Sequence, residues 1–184
     1  VPESRAVSDR PSSAEPALPP SVIARARAGD PAALAAVFRR HAPELLAVAT
    51  RLTASRDEAA DVVQDLFVGL PEALAHYRER GQFGAWLRRA AVRLALTRLR
   101  AARRRRDVPA DAPPSAAARA EPVLDRIALE RAIGALPESL RVVFVLREVE
   151  GYSHAEIAAA LGITRAASEV RLFRAVRRLR DALV

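Results

Sequence analysis

An all-α fold of two small helical domains, joined by a flexible linker, is predicted by three observations on this 184-residue chain. Hydrophobic residues make up 51% but aromatics only 4%, with alanine supplying much of the apolar count, a composition that suits closely packed helices better than a sandwich or barrel. Apolar residues recur at helical rather than alternating spacing. Proline-rich stretches at residues 1–28 and 107–122 carry few large apolar side chains, so burial there cannot offset the entropy of ordering them. The chain therefore reads as a disordered tail at 1–28, a first domain at 29–106, a linker at 107–122 and a second domain at 123–184.

In the first domain Asp30-Pro31 supplies an N-cap and a proline in the first turn, with Leu34, Val37 and Phe38 following at helical spacing. Pro43 is expected to start a second helix carrying Leu45, Leu46, Val48, Ala49 and Leu52. Ser55-Arg56-Asp57-Glu58 reads as a capping box opening a third helix, which buries Ala59, Val62, Val63, Leu66, Phe67 and Leu70 and ends or kinks at Pro71. A long helix then runs from about Phe83 to Arg106. At 100° per residue Phe83, Leu87, Ala90, Ala91 and Leu94 fall on one face, and Arg89, Arg93, Arg100, Arg103 and Arg104 form a stripe beside it.

The second domain opens with Leu124, Ile127, Ala128, Ala132 and Ile133 at helical spacing, followed by Leu136-Pro137-Glu138 and a strongly apolar helix through Val142, Val143, Val145 and Leu146 that Gly151 breaks. Ser153-His154-Ala155-Glu156 is a capping box for a short helix ending at Gly162, whose lack of a Cβ permits a left-handed turn. Thr164 then caps a last helix reaching Leu183. A short capped helix, a glycine turn and a longer helix are the grammar of a helix-turn-helix. Arg165, Ser168, Glu169, Arg171 and Arg174 are the polar candidates for a major groove. The same residues are compatible with a plain helical hairpin whose Arg-rich face is solvated.

All thirty basic side chains are Arg, against 22 acids, for a net charge of +8. The charge is unevenly placed: residues 78–106 carry +10, residues 30–77 and 107–130 carry −3 each, and residues 131–184 carry +3. A polyanion is the default partner of such a cluster. Absence of Cys removes disulfides, thiolate metal sites and a Cys nucleophile, and His41, His76 and His154 are too far apart to suggest a local ligand pair. Neither a metal nor a cofactor is expected. No apolar run approaches the roughly 20 residues of a membrane span, so membrane insertion is not expected and a cytoplasmic location is. An enzyme acting on a polyanion would need a Gly-rich phosphate loop or a catalytic constellation, and neither is evident.

These residues resemble a known family. Leu136-Pro137, Arg141, Leu146-Arg147, Gly151-Tyr152-Ser153, Glu156-Ile157-Ala158, Leu161-Gly162-Ile163 and Arg174-Ala175 are similar to the C-terminal domain of extracytoplasmic-function sigma factors of bacterial RNA polymerase. The run Asp57 to Phe67, then Phe83, Trp86-Leu87 and Leu99-Arg100, resembles their other domain. The likeness covers about 30–106 and 124–184, in the family's order.

That resemblance implies a promoter-specificity subunit without catalytic chemistry. Its partners would be core RNA polymerase (the β′ clamp helices and the β flap), promoter DNA and an anti-sigma protein. Asp61, Gln64, Asp65 and Phe67 would dock on the polymerase, and a net acidic segment suits a basic protein partner; a solvated i,i+4 face is the alternative for Asp61 and Asp65. Arg78, Arg80, Arg89, Arg93, Arg100, Arg103 and Arg104 would hold the minus 10 element as the duplex opens, and Thr164, Arg165, Ser168, Glu169, Arg171, Phe173 and Arg174 would meet the minus 35 element. Trp86 is either a base platform or, with Phe83 and Ala90 as helical neighbours, core. The sequence departs from the family pattern at Arg93 and Thr97, where Asn and Asp are usual, and at Ala167 to Val170, where Thr-Val-Lys-Ser is usual. An autonomous helix-turn-helix regulator is the alternative, and it would leave the Asp57 to Phe67 helix unexplained.

Overall fold

A computed structural model of the chain describes residues 18–78, 81–106 and 125–183. Among them there is no strand. The helices are α1 (Pro20–Arg27), α2 (Pro31–Thr53), α3 (Arg56–Val68), α4 (Leu70–His76), α5 (Phe83–Arg106), α6 (Asp125–Ala135), α7 (Glu138–Phe144), α8 (His154–Leu161) and α9 (Arg165–Leu183), with a π-helical turn at Val145–Val149 continuing α7.

Local chemistry accounts for most boundaries. Asp30 accepts from the Ala32 N–H at 2.9 Å and Ser55 accepts from the Glu58 N–H at 3.2 Å, so α2 and α3 begin where their caps stand. At α8 the capping box is complete: the Glu156 N–H donates to Ser153 Oγ at 3.2 Å, and the Ser153 N–H donates to Glu156 Oε2 at 2.8 Å. Those bonds from Ser153 hold the Glu156 carboxyl below its ordinary pKa. Gly162 takes φ +65° and turns the chain from α8 into α9, a conformation any Cβ would strain. The expected helix-turn-helix is thus present, residue for residue.

Two boundaries differ from expectation. Pro43 lies inside a continuous α2 and starts nothing. It forfeits one backbone bond, but Val37 before it and Leu45, Val48 and Leu52 after it are buried along one helix, and that shared burial outweighs the lost bond. Residues 20–27, expected within a disordered tail, form α1: Ile23 and Ala26 are buried against the first domain, and Pro20 occupies the first turn, where proline is tolerated. The linker expected at 107–122 and the tail before residue 18 lie outside the described residues.

The core has two parts. One belongs to the first domain alone and gathers Val37, Leu45, Leu70, Leu74, Phe83 and Leu87. Trp86 sits at its edge, half-buried, with its ring 4.8 Å from Tyr77 and 5.8 Å from Phe83, which favours the core reading of this residue. The other part spans both domains: Leu52, Val92 and Leu99 of the first share a cluster with Leu140, Val143 and Leu146 of the second. The buried face of α5 therefore runs past Leu94 through Leu96 to Leu99, further than its first turns suggest.

Polar contacts reinforce that junction. Arg141, 7% exposed, donates to the carbonyls of Leu52 at 3.3 Å and Thr53 at 3.2 Å at the end of α2, and to those of Gly134 at 3.4 Å and Leu136 at 2.9 Å at the end of α6. One cation thus caps two helix C-termini, where the dipole favours it, although burial pulls its pKa below the ordinary Arg value. Arg51 on α2 grips Glu130 on α6 with bonds of 2.6 to 3.0 Å. Arg88 and Arg103 on α5 reach Glu150 at 3.7 Å and Glu138 at 2.6 Å.

Candidate polymerase and promoter surfaces

Three surfaces hold the residues singled out from the sequence. The first is a cleft of about 900 Å³ between α2 and α3, lined by Phe38, Pro43, Leu46, Val63, Gln64 and Phe67. Its walls are almost entirely carbon. Phe38 is 47% exposed and meets Phe67 edge to face at 4.8 Å. Of the four expected polymerase contacts, Gln64 and Phe67 line this cleft. Asp61 and Asp65 stand exposed on another side of α3, and both are ion-paired with Arg98 of α5, Asp61 at 3.2 Å. Arg98 is a residue the sequence reading did not single out, because its partners lie more than thirty positions away.

The second surface is the solvent side of α5. Arg89, Arg93, Arg100, Arg103 and Arg104 are all exposed along it, and Arg78 is exposed just beyond α4; Arg80 lies outside the described residues. Arg100 donates to the Leu96 carbonyl at 3.1 Å, which lays its side chain back along the helix.

The third is the helix-turn-helix. Thr164 caps α9 by accepting from the Ala167 N–H at 3.1 Å. Arg165 and Glu169 pair at 2.9 Å across one exposed turn, while Phe173, 69% exposed, and Arg174 project from the same helix. Arg171 is half-buried. Ser168 requires a correction: it was expected in the groove, but it is fully buried, and its hydroxyl meets His154 Nδ1 at 2.9 Å. It ties α9 to α8, and its position seven residues before Ala175 and eleven before Leu179, both buried, places it on the inner side of the helix.

Such an assembly, a helical bundle with an apolar cleft and an Arg-lined helix followed by a helix-turn-helix, has the surfaces of a DNA-directed initiation factor. Comparison with known proteins gives its family. Residues 37–105 match the family described as Sigma-70 region 2, and residues 126–179 match Sigma-70, region 4. The ECF RNA polymerase sigma factor SigM of Mycobacterium tuberculosis is 32% identical over 152 residues, covering 83% of this chain and 78% of that protein. SigD of the same species is 34% identical over 178 residues, covering 89% and 83%. The RNA polymerase sigma-H factor of Pseudomonas aeruginosa is 29% identical over 180 residues, covering 88% and 92%. Among solved structures, the sigma factor RpoE of Bartonella quintana, crystallised with the anti-sigma factor NepR, shares the fold with a TM-score of 0.53 and 24% identity over 79% of this chain and 93% of its own. The chain belongs to the ECF sigma factors of bacterial RNA polymerase. No helix among the described residues is long and apolar enough to cross a membrane.

Proposed function

We propose that this chain binds core RNA polymerase through the α2–α3 cleft, holds the opened minus 10 strand along α5, and reads the minus 35 duplex with α9, performing no catalysis itself. The observation that carries this reading is the physical contrast between surfaces on one chain. The cleft offers carbon and would take an apolar helix face of a protein partner. The α5 stripe offers guanidinium groups at helical spacing and would track a phosphate backbone. The polymerase elements involved are the β′ clamp helices at the cleft and the β flap at the second domain. An anti-sigma protein is an expected further partner, as for the RpoE–NepR complex. Cytoplasmic location follows from that role.

Transcription in vitro from a genomic fragment library, with core polymerase and this protein, tests the whole reading: specific starts sharing two upstream elements are expected. Starts identical to those of core polymerase alone would refute it. Co-elution with core polymerase on gel filtration separates it from an autonomous helix-turn-helix regulator, which would bind duplex DNA alone.

Two residue-level expectations follow. Arg100→Ala with Arg103→Ala lowers promoter opening, read by permanganate reactivity, about tenfold or more, while polymerase affinity changes less than about twofold, because each lost phosphate contact weakens DNA binding alone. Equal losses in both assays would contradict that separation. Glu169, free to leave Arg165 in an exposed pair worth only ~0.5 kcal/mol, presents a carboxylate that can accept from a cytosine N4 amine. Glu169→Ala therefore changes base preference in a randomised minus 35 library at one position, by about 1–3 kcal/mol of discrimination. An unchanged profile would remove Glu169 from the readout.

A further inference from the structure

Three arginines from the two domains converge on one small cavity. About 80 Å³ in volume, it is walled by Arg100 and Arg103 of α5, Glu138 and Ser139 of α7, and Arg171 of α9. Its floor is apolar, made by Leu99, Val142 and Ile163, and such a floor strengthens any charge contact formed above it. Arg100 and Arg103 are exposed, so the cavity opens to solvent on their side, whereas Ser139 is 6% exposed and Arg171 is half-buried.

The charges around the cavity do not balance. Arg103 donates to Glu138 at 2.6 Å, and Arg100 donates to the Leu96 carbonyl at 3.1 Å and to Thr97 Oγ1 at 3.4 Å. Arg171 pairs with no carboxylate among the described residues. Three guanidinium groups therefore share the one carboxylate in the wall, which leaves two positive charges. Size and charge together select the ligand. A water takes ~30 Å³ of liquid volume, so the space suits a few waters or one tetrahedral oxyanion, while a nucleoside or a duplex is too large to enter. A phosphate dianion carries the matching charge. Its oxygens accept from the planar donor forks of arginine, and the Ser139 hydroxyl can donate to one more of them.

We infer that this cavity binds a phosphate group, held by Arg100, Arg103 and Arg171 with Ser139 as a fourth donor. The free ion and the terminal phosphate of a nucleotide both meet that description, the sugar and base of a nucleotide lying outside. Occupancy has a consequence for DNA: a phosphate held here takes Arg100 and Arg103 from the α5 stripe and so competes with a nucleic acid strand. That consequence rests on the function proposed above; the site itself does not.

Isothermal titration of the full chain with inorganic phosphate, at constant ionic strength in chloride, is expected to show saturable binding of one ion per chain at millimolar concentration. Arg171→Gln is expected to weaken that binding about tenfold or more, the usual loss for a hydrogen bond to a charged group. Arg177→Gln, the same charge change at an exposed position of the same helix, changes it less than about twofold because solvent and salt screen it. Glu138→Gln moves the other way: it releases Arg103 and removes a repelling carboxylate, so binding tightens about threefold or more, while Glu148→Gln at an exposed site leaves it near the parent value. AMP and ADP distinguish the sources. Binding tighter than that of the inorganic ion, with the same dependence on Arg171, assigns the site to a nucleotide phosphate; equal or weaker binding assigns it to the free ion. Inorganic phosphate is also expected to displace a labelled single-stranded 20-mer from the parent, and phosphate bound without displacement would overturn the competition. Absence of saturable binding by phosphate and both nucleotides, or equal losses in Arg171→Gln and Arg177→Gln, would overturn the site. Should Arg171→Gln fail to fold, Glu138→Gln decides the matter, since unchanged or weaker phosphate binding by it would overturn the site equally. Failure of the chain to bind core polymerase would instead refute the proposed function, leaving the site to the phosphate titrations.

Discussion

Phe67→Asp lowers affinity for core polymerase by about 100-fold or more and brings promoter-dependent transcription to background, while the helical signal and melting temperature stay near those of the parent. The ring lines the α2–α3 cleft and stacks edge to face on an exposed Phe38, so it is half-buried in the free chain and is expected to be completed by the partner. Anchors of this kind, aromatic and central to an apolar pocket, carry most of an interface's energy, and a carboxylate in their place would be desolvated without a counter-charge. Phe67→Leu, which keeps the apolar volume, is expected to retain most of the affinity. Parent-like binding by Phe67→Asp in a fluorescence titration would move the polymerase site elsewhere. The same geometry changes the weight given to charge: Asp61 and Asp65 already neutralise Arg98, so Asp61→Asn is expected to weaken docking far less than Phe67→Asp.

Arg141→Met produces the largest loss of stability expected of any single polar substitution here. The thioether fills much of the aliphatic space but leaves the carbonyls of Leu52, Thr53, Gly134 and Leu136 without their donor. Unsatisfied buried acceptors cost ~1–3 kcal/mol each when water cannot reach them, and partial rehydration of the helix ends brings the expected total to about 3 kcal/mol. For a chain of this length that is a fall in melting temperature of roughly 10 °C. Arg141→Lys is expected to recover only part, since an ammonium is a point donor and cannot span four carbonyls on two helices. A melting temperature within about 2 °C of the parent for the Met variant would show that these bonds are made equally well by water.

Much of the site was legible before the structure because its signals are local. The capping box at Ser153 and Glu156, the turn glycine at 162 and the cap at Thr164 each act within four residues, and each stands where the pattern put it. The α5 stripe is equally local, since a helix of known start converts spacing into a face. Where the reading went astray, a distant contact decided the outcome. Pro43 signals a helix start, yet burial on both sides of it makes α2 continuous. Residues 20–27 look like tail, yet Ile23 finds a buried site in the first domain. Ser168 is polar and beside groove candidates, yet His154, fourteen residues earlier, draws it inward.

Composition, helical spacing and motif order were thus enough to establish an all-α fold and its family, because those properties are set within a turn or two of chain. Only the folded chain shows that the domains share a core, that Arg141 caps a helix of each, and that Glu138 and Glu150 stand against Arg103 and Arg88. Those partners are 35 to 89 residues apart or lie on different helices, and no periodicity encodes which exposed carboxylate will meet which guanidinium. The net +8 is the same in either view; its meaning depends on which of the arginines the chain has already given to itself.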